Sequence, residues 1–176
     1  GQSAAGAAIE HLLKLHPATA QAEASAKEEG KSLPVWLAEK AAEKADRLSE
    51  AVKLADGLHV VPEFLGNRAP FADPHARAVI SGLGLDSDID SLVALYIAGL
   101  CGIAYGLRQI IAVQAQNGAP IERIMISGGA GQQDLVRQLR SEERRVGKEW
   151  RSRWGRERAS RERIDEERYW IRRRGG

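Results

Sequence analysis

Residues 121–139 read IERIMISGGAGQQDLVRQL, and this order of residue types predicts a strand, a glycine loop and a helix. The strand is expected at 121–126, and the loop contains the pair Gly128 and Gly129. Glycines at such a turn let a ligand approach the bare backbone, and the first N–H groups of the following helix are unpaired. The pattern therefore indicates a nucleotide-contacting loop or a tight turn. It is neither a Walker loop nor a GxGxxG fingerprint.

A long apolar helix is predicted immediately upstream, at about 91–116. Asp90 is its expected N-cap, whereas Asp86 and Asp88 are interpreted as a solvated loop. Three glycines lie inside the helix, and each costs about 1 kcal/mol relative to alanine, so we expect a close helix or strand neighbour there: Gly99, Gly102 and Gly106. The apolar centre of the helix is short and rich in glycine for a bilayer span, so no membrane association is expected.

Two short strands are predicted before this helix. The first, at 58–62, ends at a proline, and the second covers 78–80. Between them lies GNRAPFADP at 66–74, which is dense in turn formers.

Residues 18–56 are rich in Ala, Glu and Lys and predict a pair of helices. Gly30 is expected to end the first helix, and Ser32 with Pro34 to open the second. The apolar positions of the second helix share one face: Leu37, Ala41, Ala45, Leu48, Val52 and Ala55. We interpret the pair as a surface insertion packed on a larger body.

The composition limits the class of protein. A chain that is 43% hydrophobic and 28% charged is not wholly disordered. The single cysteine, Cys101, excludes a disulfide scaffold and is expected to be a buried, reduced thiol. The net charge of +2 conceals a division, because residues 1–140 carry 13 basic and 16 acidic side chains and residues 141–176 carry 13 and 8.

The segment 141–176 holds 12 of the 19 arginines and three of the four tryptophans. It is interpreted as an unrelated, artefactual tail, such as out-of-frame translation, or as a solvated helix. A third interpretation is a nucleic-acid-binding arm, in which arginines contact phosphates and tryptophans stack on bases. Eight interleaved acidic residues weigh against that arm.

Four blocks of sequence stand in the order and at roughly the separations of a known family: GQSAAGAAIEHLLKLHP (1–17), LHVVPEFLGNRAPFADPHARAVISGL (58–83), LVALYIAGLCGIAYGLRQII (92–111) and ISGGAGQQDLVRQL (126–139). Together, residues 1–140 resemble part of the C-terminal domain of FGGY-family carbohydrate kinases. The branch that they resemble most is the pentulose kinase, D-ribulokinase-like branch. The likeness ends at about residue 140, and residues 141–176 match no part of the family.

The resemblance implies an α/β fold, an incomplete actin-like (ribonuclease-H-like) ATPase domain into which the helical pair at 18–56 is inserted. It also implies transfer of the γ-phosphoryl group of ATP to a pentulose hydroxyl, with Mg²⁺ as counter-charge. The family's N-terminal domain, with its sugar pocket and general-base aspartate, is expected upstream of Gly1, so no catalytic residue and no Mg²⁺ ligand is assigned here. A cytoplasmic location is expected. The alternative is a nucleotide-binding relic with a basic nucleic-acid-binding arm.

Five residues match nucleotide-lining positions of the family: Gly6, Glu10, Gly128, Gly129 and Gln133. The resemblance implies that the glycine pair contacts adenosine and that Gln133 faces the nucleotide just after it. It implies that Gly6 and Glu10 line the ATP cleft. Glu10 departs from the glutamine of glycerol kinases, and since a carboxylate near phosphates is unfavourable, we place it on the base or ribose side.

Overall fold

The computed structural model describes residues 5–121, which form four α-helices, one 3₁₀ helix and two short strands. In chain order these are α1 (Ala5–Lys14), α2 (Thr19–Glu28), α3 (Leu33–Lys44), the 3₁₀ helix (Leu48–Ala55), β1 (His59–Val61), β2 (Val79–Ser81) and α4 (Ile89–Gln116). The strand predicted at 121–126, the glycine loop, the helix after it and the segment 141–176 lie outside the described residues.

The long helix α4 forms the centre of the described core. It contacts α1, α3, the 3₁₀ helix and β1, and most of its buried residues lie between Leu92 and Ala104: Leu92, Val93, Leu95, Tyr96, Ile97, Ala98, Gly99, Ile103, Ala104 and Ile110. By length and composition alone, α4 could cross a membrane. Half of its most apolar stretch is buried inside the fold, which is also how the core helix of a soluble protein is arranged.

Two glycines of α4 lie where its neighbours come closest. A Cβ atom on Gly99 would lie 2.6 Å from Cδ2 of Leu12 in α1. A Cβ atom on Gly102 would lie 2.1 Å from the backbone oxygen of Val60 in β1. The absence of a side chain lets α1 approach α4 closely at Gly99 and lets β1 approach it closely at Gly102. The structure thus confirms the close helix and strand neighbours predicted for these glycines.

The N-cap of α4 is Asp88, so the prediction of Asp90 was wrong. Asp88 has extended backbone angles, and its side chain accepts a hydrogen bond from the Ser91 N–H at 2.8 Å. The helix begins earlier than expected because Ile89 packs against the core and is drawn into the first turn. Asp90 instead lies in that turn and pairs with Lys44 of α3 at 2.7 Å.

The helical pair begins as predicted. After α2 the chain turns at Gly30, whose φ of +67° favours glycine, and α3 opens after Ser32 with a proline in its first turn. Both helices contribute to the same core as α4, through Ala22 and Ala26 of α2 and a run of buried residues in α3: Trp36, Leu37, Ala38 and Ala41. The pair is therefore part of the hydrophobic core as well as of the surface.

The single long second helix predicted to residue 56 is interrupted. Helix α3 ends at Lys44, the backbone is extended at Ala45 and Arg47, and a 3₁₀ helix follows. After this interruption, part of the predicted apolar face no longer points toward the core. Ala51 is fully buried, whereas Val52, which was predicted to lie on that face, is 41% exposed. The interruption lets the 3₁₀ helix lie against α4, a tertiary contact that local spacing does not encode.

The two strands pair as an antiparallel hairpin, as their positions predicted. Val60 faces Ile80 in the register and is buried against the core, while the neighbouring pair of Val61 and Val79 is exposed on the outer face. The Cys101 side chain is half-buried, so its burial is less complete than expected. Within residues 5–121 this hairpin is the only sheet, and the described fold is rich in helix.

Candidate functional site

Helix α1 divides its residues between the core and the solvent. Ile9, Leu12 and Leu13 are buried, and the first two of them lie against Gly99 of α4. Two of the candidate nucleotide residues, Gly6 and Glu10, are four positions apart and exposed. Since residues at i and i+4 lie on the same side of a helix, the two form one outward-facing surface.

The backbone at Gly6 is open to the surroundings. A Cβ atom built there meets no heavy atom within 4 Å. Among the described residues, the main chain at Gly6 is therefore open to the close approach of a ligand.

The Glu10 carboxylate is held by a lysine one turn further along α1. Lys14 Nζ donates a hydrogen bond to Glu10 Oε1 at 2.7 Å, and both side chains are mostly exposed. The hydrogen bond and the charge of Lys14 lower the pKa of Glu10, and Glu10 in turn raises the pKa of Lys14. Glu10 is thus an ionised acceptor whose negative charge is offset by an adjacent cation.

A structured loop after β1 adjoins the same helix. The His11 ring meets Phe64 edge to face, with centroids 4.8 Å apart. Within the loop, Asn67 Nδ2 donates to Glu63 Oε1 at 2.8 Å, and the Asn67 N–H donates to the Asp73 carbonyl at 2.7 Å. Hydrogen bonds therefore order this loop, and the aromatic contact fixes it beside α1.

Close packing within this loop requires a glycine at position 66. Gly66 has a φ of +81°, and a Cβ atom there would lie 2.9 Å from the Pro74 carbonyl oxygen. A larger residue would combine an unfavourable backbone conformation with a clash against main chain. The glycine therefore brings the two ends of the loop together.

Of the five candidate residues, the structure brings two together and leaves three unplaced. Gly6 and Glu10 share the exposed face of α1, whereas Gly128, Gly129 and Gln133 lie outside the described residues. Among residues 5–121, no three side chains of His, Cys, Asp or Glu converge in a way that could hold a metal ion. The described residues therefore do not fit Mg²⁺, and we derive no step through it.

Sequence reasoning missed Lys14 as a member of this surface. The signal was present, since a glutamate followed four residues later by a lysine is the spacing of a helical ion pair. It also missed His16, a buried imidazole that joins the end of α1 to the start of α4. The proline that follows His16 indicates the end of a helix, but it does not indicate where the imidazole packs.

Comparison with known proteins defines the class of this chain. Residues 1–142 match the C-terminal domain of the FGGY family of carbohydrate kinases. The chain therefore belongs to the FGGY family. Membership implies a ribonuclease-H-like, actin-like fold, with which the helix-rich part described above is compatible.

Three individual proteins are similar to this chain in sequence. The chain is 35% identical over 135 residues to an FGGY carbohydrate kinase domain-containing protein of Danio rerio, covering 77% of this chain and 25% of that protein. It is 34% identical over 142 residues to a D-ribulokinase of Saccharomyces cerevisiae, covering 79% and 20%. A glycerol kinase of Marinomonas sp. is 30% identical over 101 residues, covering 57% and 20%.

The chain spans between a fifth and a quarter of the length of these curated relatives. The match to the family ends at residue 142. Neither the matches nor the described residues support the alternative of a nucleic-acid-binding arm.

Proposed function

We propose that residues 1–140 form part of the nucleotide-binding, C-terminal domain of an ATP-dependent sugar kinase that phosphorylates a pentulose such as ribulose. The observation that carries this proposal is the family match over residues 1–142. The D-ribulokinase relative supports the pentulose, because it aligns with 79% of the chain whereas the glycerol kinase aligns with 57%. Residues 141–176 are proposed to be an unrelated tail and are assigned no role.

The proposed reaction transfers a phosphoryl group from ATP to a sugar. An oxygen of the sugar forms a bond to the γ-phosphorus of ATP, the bond from that phosphorus to the β–γ bridging oxygen breaks, and ADP leaves. The sugar hydroxyl gives its proton to a general base, an aspartate in the family, which we assign to the N-terminal kinase domain and to no residue of this chain. Positioning and electrostatic stabilisation supply most of the catalysis in such transfers.

The contribution of this chain is to bind the nucleoside part of ATP. We assign Gly6 and Glu10 to one wall of the cleft, and Gly128, Gly129 and Gln133 to the other. The open backbone at Gly6 supports close approach, and the ionised Glu10 supports an acceptor for a ribose hydroxyl or a base amino group. Lys14 offsets the charge of Glu10, which reduces repulsion toward the phosphates.

The setting proposed for the enzyme is the cytoplasm. Its proposed use of ATP supports this location.

Titration of the ¹⁵N-labelled chain with ADP tests the nucleotide assignment. We expect saturable changes in the amide signals of Gly6, Glu10 and the loop at 127–133, with α2 unaffected. Glu10→Ala should weaken binding about fivefold, which corresponds to one hydrogen bond of about 1 kcal/mol. The matched control is Glu28→Ala, which removes an exposed carboxylate from α2 and should leave the affinity unchanged. Equal weakening by both variants, or signal changes confined to other surfaces, would refute the assignment.

A further inference from the structure

The only histidine buried within residues 5–121 is His16, and it lies between two helix N-termini. It stands in the turn from α1 to α2, and its side chain reaches the first turn of α4. The ring is 8% exposed although imidazole is polar. A buried titratable group that the proposed function does not use calls for a separate explanation.

The hydrogen bonds of the ring define its protonation state. Its Nδ1 atom accepts a hydrogen bond from the Ala18 N–H at 3.2 Å, so this nitrogen carries no proton. Its Nε2 atom lies 3.1 Å from Ser91 Oγ, and that hydroxyl donates to the Asp88 carbonyl at 2.8 Å. The chain of donors therefore runs from Nε2–H to Ser91 and on to Asp88, and the acceptor role of Nδ1 requires a neutral imidazole.

Protonation would break this arrangement in two ways. A proton on Nδ1 would face the Ala18 N–H, so that two donors would oppose each other. The new positive charge would also lie beside the N-termini of α2 and α4, where the helix dipoles are positive. The first effect disrupts the turn itself, and the second favours separation of the turn from α4.

Burial and a nearby negative charge shift the pKa of His16 in opposite directions. Burial lowers the pKa of His16 from its ordinary value of 6.5, and the negative charge of Asp88 on α4 raises it by a smaller amount. Other charged groups at these helix ends are paired: Lys14 of α1 binds Glu10, and Asp90 of α4 binds Lys44 of α3. The described surroundings therefore keep the ring neutral at pH 7.

We propose that His16 is a pH-sensitive latch that, in its neutral form, holds the α1–α2 turn on the start of α4 and that opens when the imidazole is protonated. The latch depends only on these contacts. If the proposed function is also correct, opening would disturb α1, which carries Gly6 and Glu10, and would weaken nucleotide binding at acidic pH.

The direction of the pH dependence follows from linkage. Because the pKa is lower in the closed state than in the open state, the open state binds the proton more readily. The closed state is fully favoured above about pH 6.5, the ordinary pKa of the ring, and loses stability as the pH falls below it. The opening equilibrium should rise by up to about tenfold per pH unit until the closed form is itself protonated.

Amide hydrogen exchange of the whole chain without nucleotide tests the latch. We expect the protection of the Ala18 and Ser91 amides, corrected for intrinsic exchange rates, to fall between pH 7 and pH 5. In His16→Asn the amide oxygen can still accept from the Ala18 N–H but does not titrate, so protection should become independent of pH. His75→Asn, which changes an exposed histidine, should behave like the wild type. Unchanged protection in the wild type, or the same pH dependence in His16→Asn, would overturn the proposal.

A second measurement does not depend on the variant's folding. The imidazole Cε1–H signal of His16 in the wild-type chain should titrate with a midpoint below 6.5, together with the loss of amide protection at Ala18. A midpoint at or above 6.5 with the turn still protected would also overturn the latch. Because neither experiment contains nucleotide, failure of the latch is distinct from failure of the proposed kinase function.

Discussion

Gly102→Val is expected to prevent the chain from folding cooperatively. The added Cβ atom would lie 2.1 Å from the Val60 carbonyl oxygen and 3.0 Å from Cδ of Pro62. The first of these atoms is backbone within a paired strand, so it cannot turn away as a side chain could. Ordinary overpacking costs about 1–3 kcal/mol, and this contact should reach at least the upper end of that range. Urea unfolding followed by circular dichroism measures the loss.

Two glycine variants provide graded controls for this prediction. In Gly99→Ala the new methyl group would meet the ends of the Leu12 and Ile9 side chains, which can shift, so a loss of about 1 kcal/mol is expected. In Gly6→Ala the methyl group meets nothing, and a gain of up to about 1 kcal/mol is expected from helix propensity. If Gly102→Val were as stable as Gly6→Ala, the packing of α4 on β1 would be wrong.

Gly129→Val is expected to abolish the binding of ADP. Under the proposed function, the nucleoside lies against the bare backbone of the glycine loop, and a branched side chain would occupy its place. A steric cost of about 3 kcal/mol corresponds to roughly a hundredfold weaker binding. The ADP titration described above measures the effect.

Ala119→Val is the matched control for this variant, because it adds similar bulk at an exposed position ten residues before the loop glycine. It should bind ADP like the wild type. Both variants should also keep the wild-type far-ultraviolet spectrum and unfolding midpoint. Unchanged affinity in a folded Gly129→Val chain would contradict the assignment of the loop.

Local sequence patterns predicted those features that a few neighbouring residues in the chain determine. The glycines of α4 predicted close neighbours, and the structure confirms them at Gly99 and Gly102. The N-cap was misplaced by two residues, because Asp88 and Asp90 are equally good caps by type. The packing of Ile89 on the core decides between them.

The interruption of the second insert helix could not be predicted from periodicity. Its apolar stripe continues through residues 45–47, yet the backbone there is extended. The deciding interactions are tertiary, namely the pairing of Lys44 with Asp90 and the packing of the following 3₁₀ helix along α4. Such contacts join residues that are far apart in sequence, and a one-residue change of register moves Val52 outward and Ala51 inward.

The candidate site was predictable only in part, because contacts near it also join residues that are far apart in sequence. The family resemblance identified Gly6 and Glu10, and the structure places both on one exposed face. The ion pair of Glu10 with Lys14 follows from helical spacing once α1 is known. The contact of His16 with Ser91 spans 75 residues, so no local pattern could reveal it.

Under the proposed function, residues 1–140 supply a working part of the nucleotide-binding domain of a pentulose kinase. The most direct test of this claim is a chimera in which residues 1–140 replace the matching segment of the Saccharomyces cerevisiae D-ribulokinase. We predict that the purified chimera forms ADP from ATP only when D-ribulose is present, as the unaltered yeast protein prepared in parallel should do. A chimera that melts cooperatively and yet forms no ADP with D-ribulose, beside an active yeast protein, would contradict the claim.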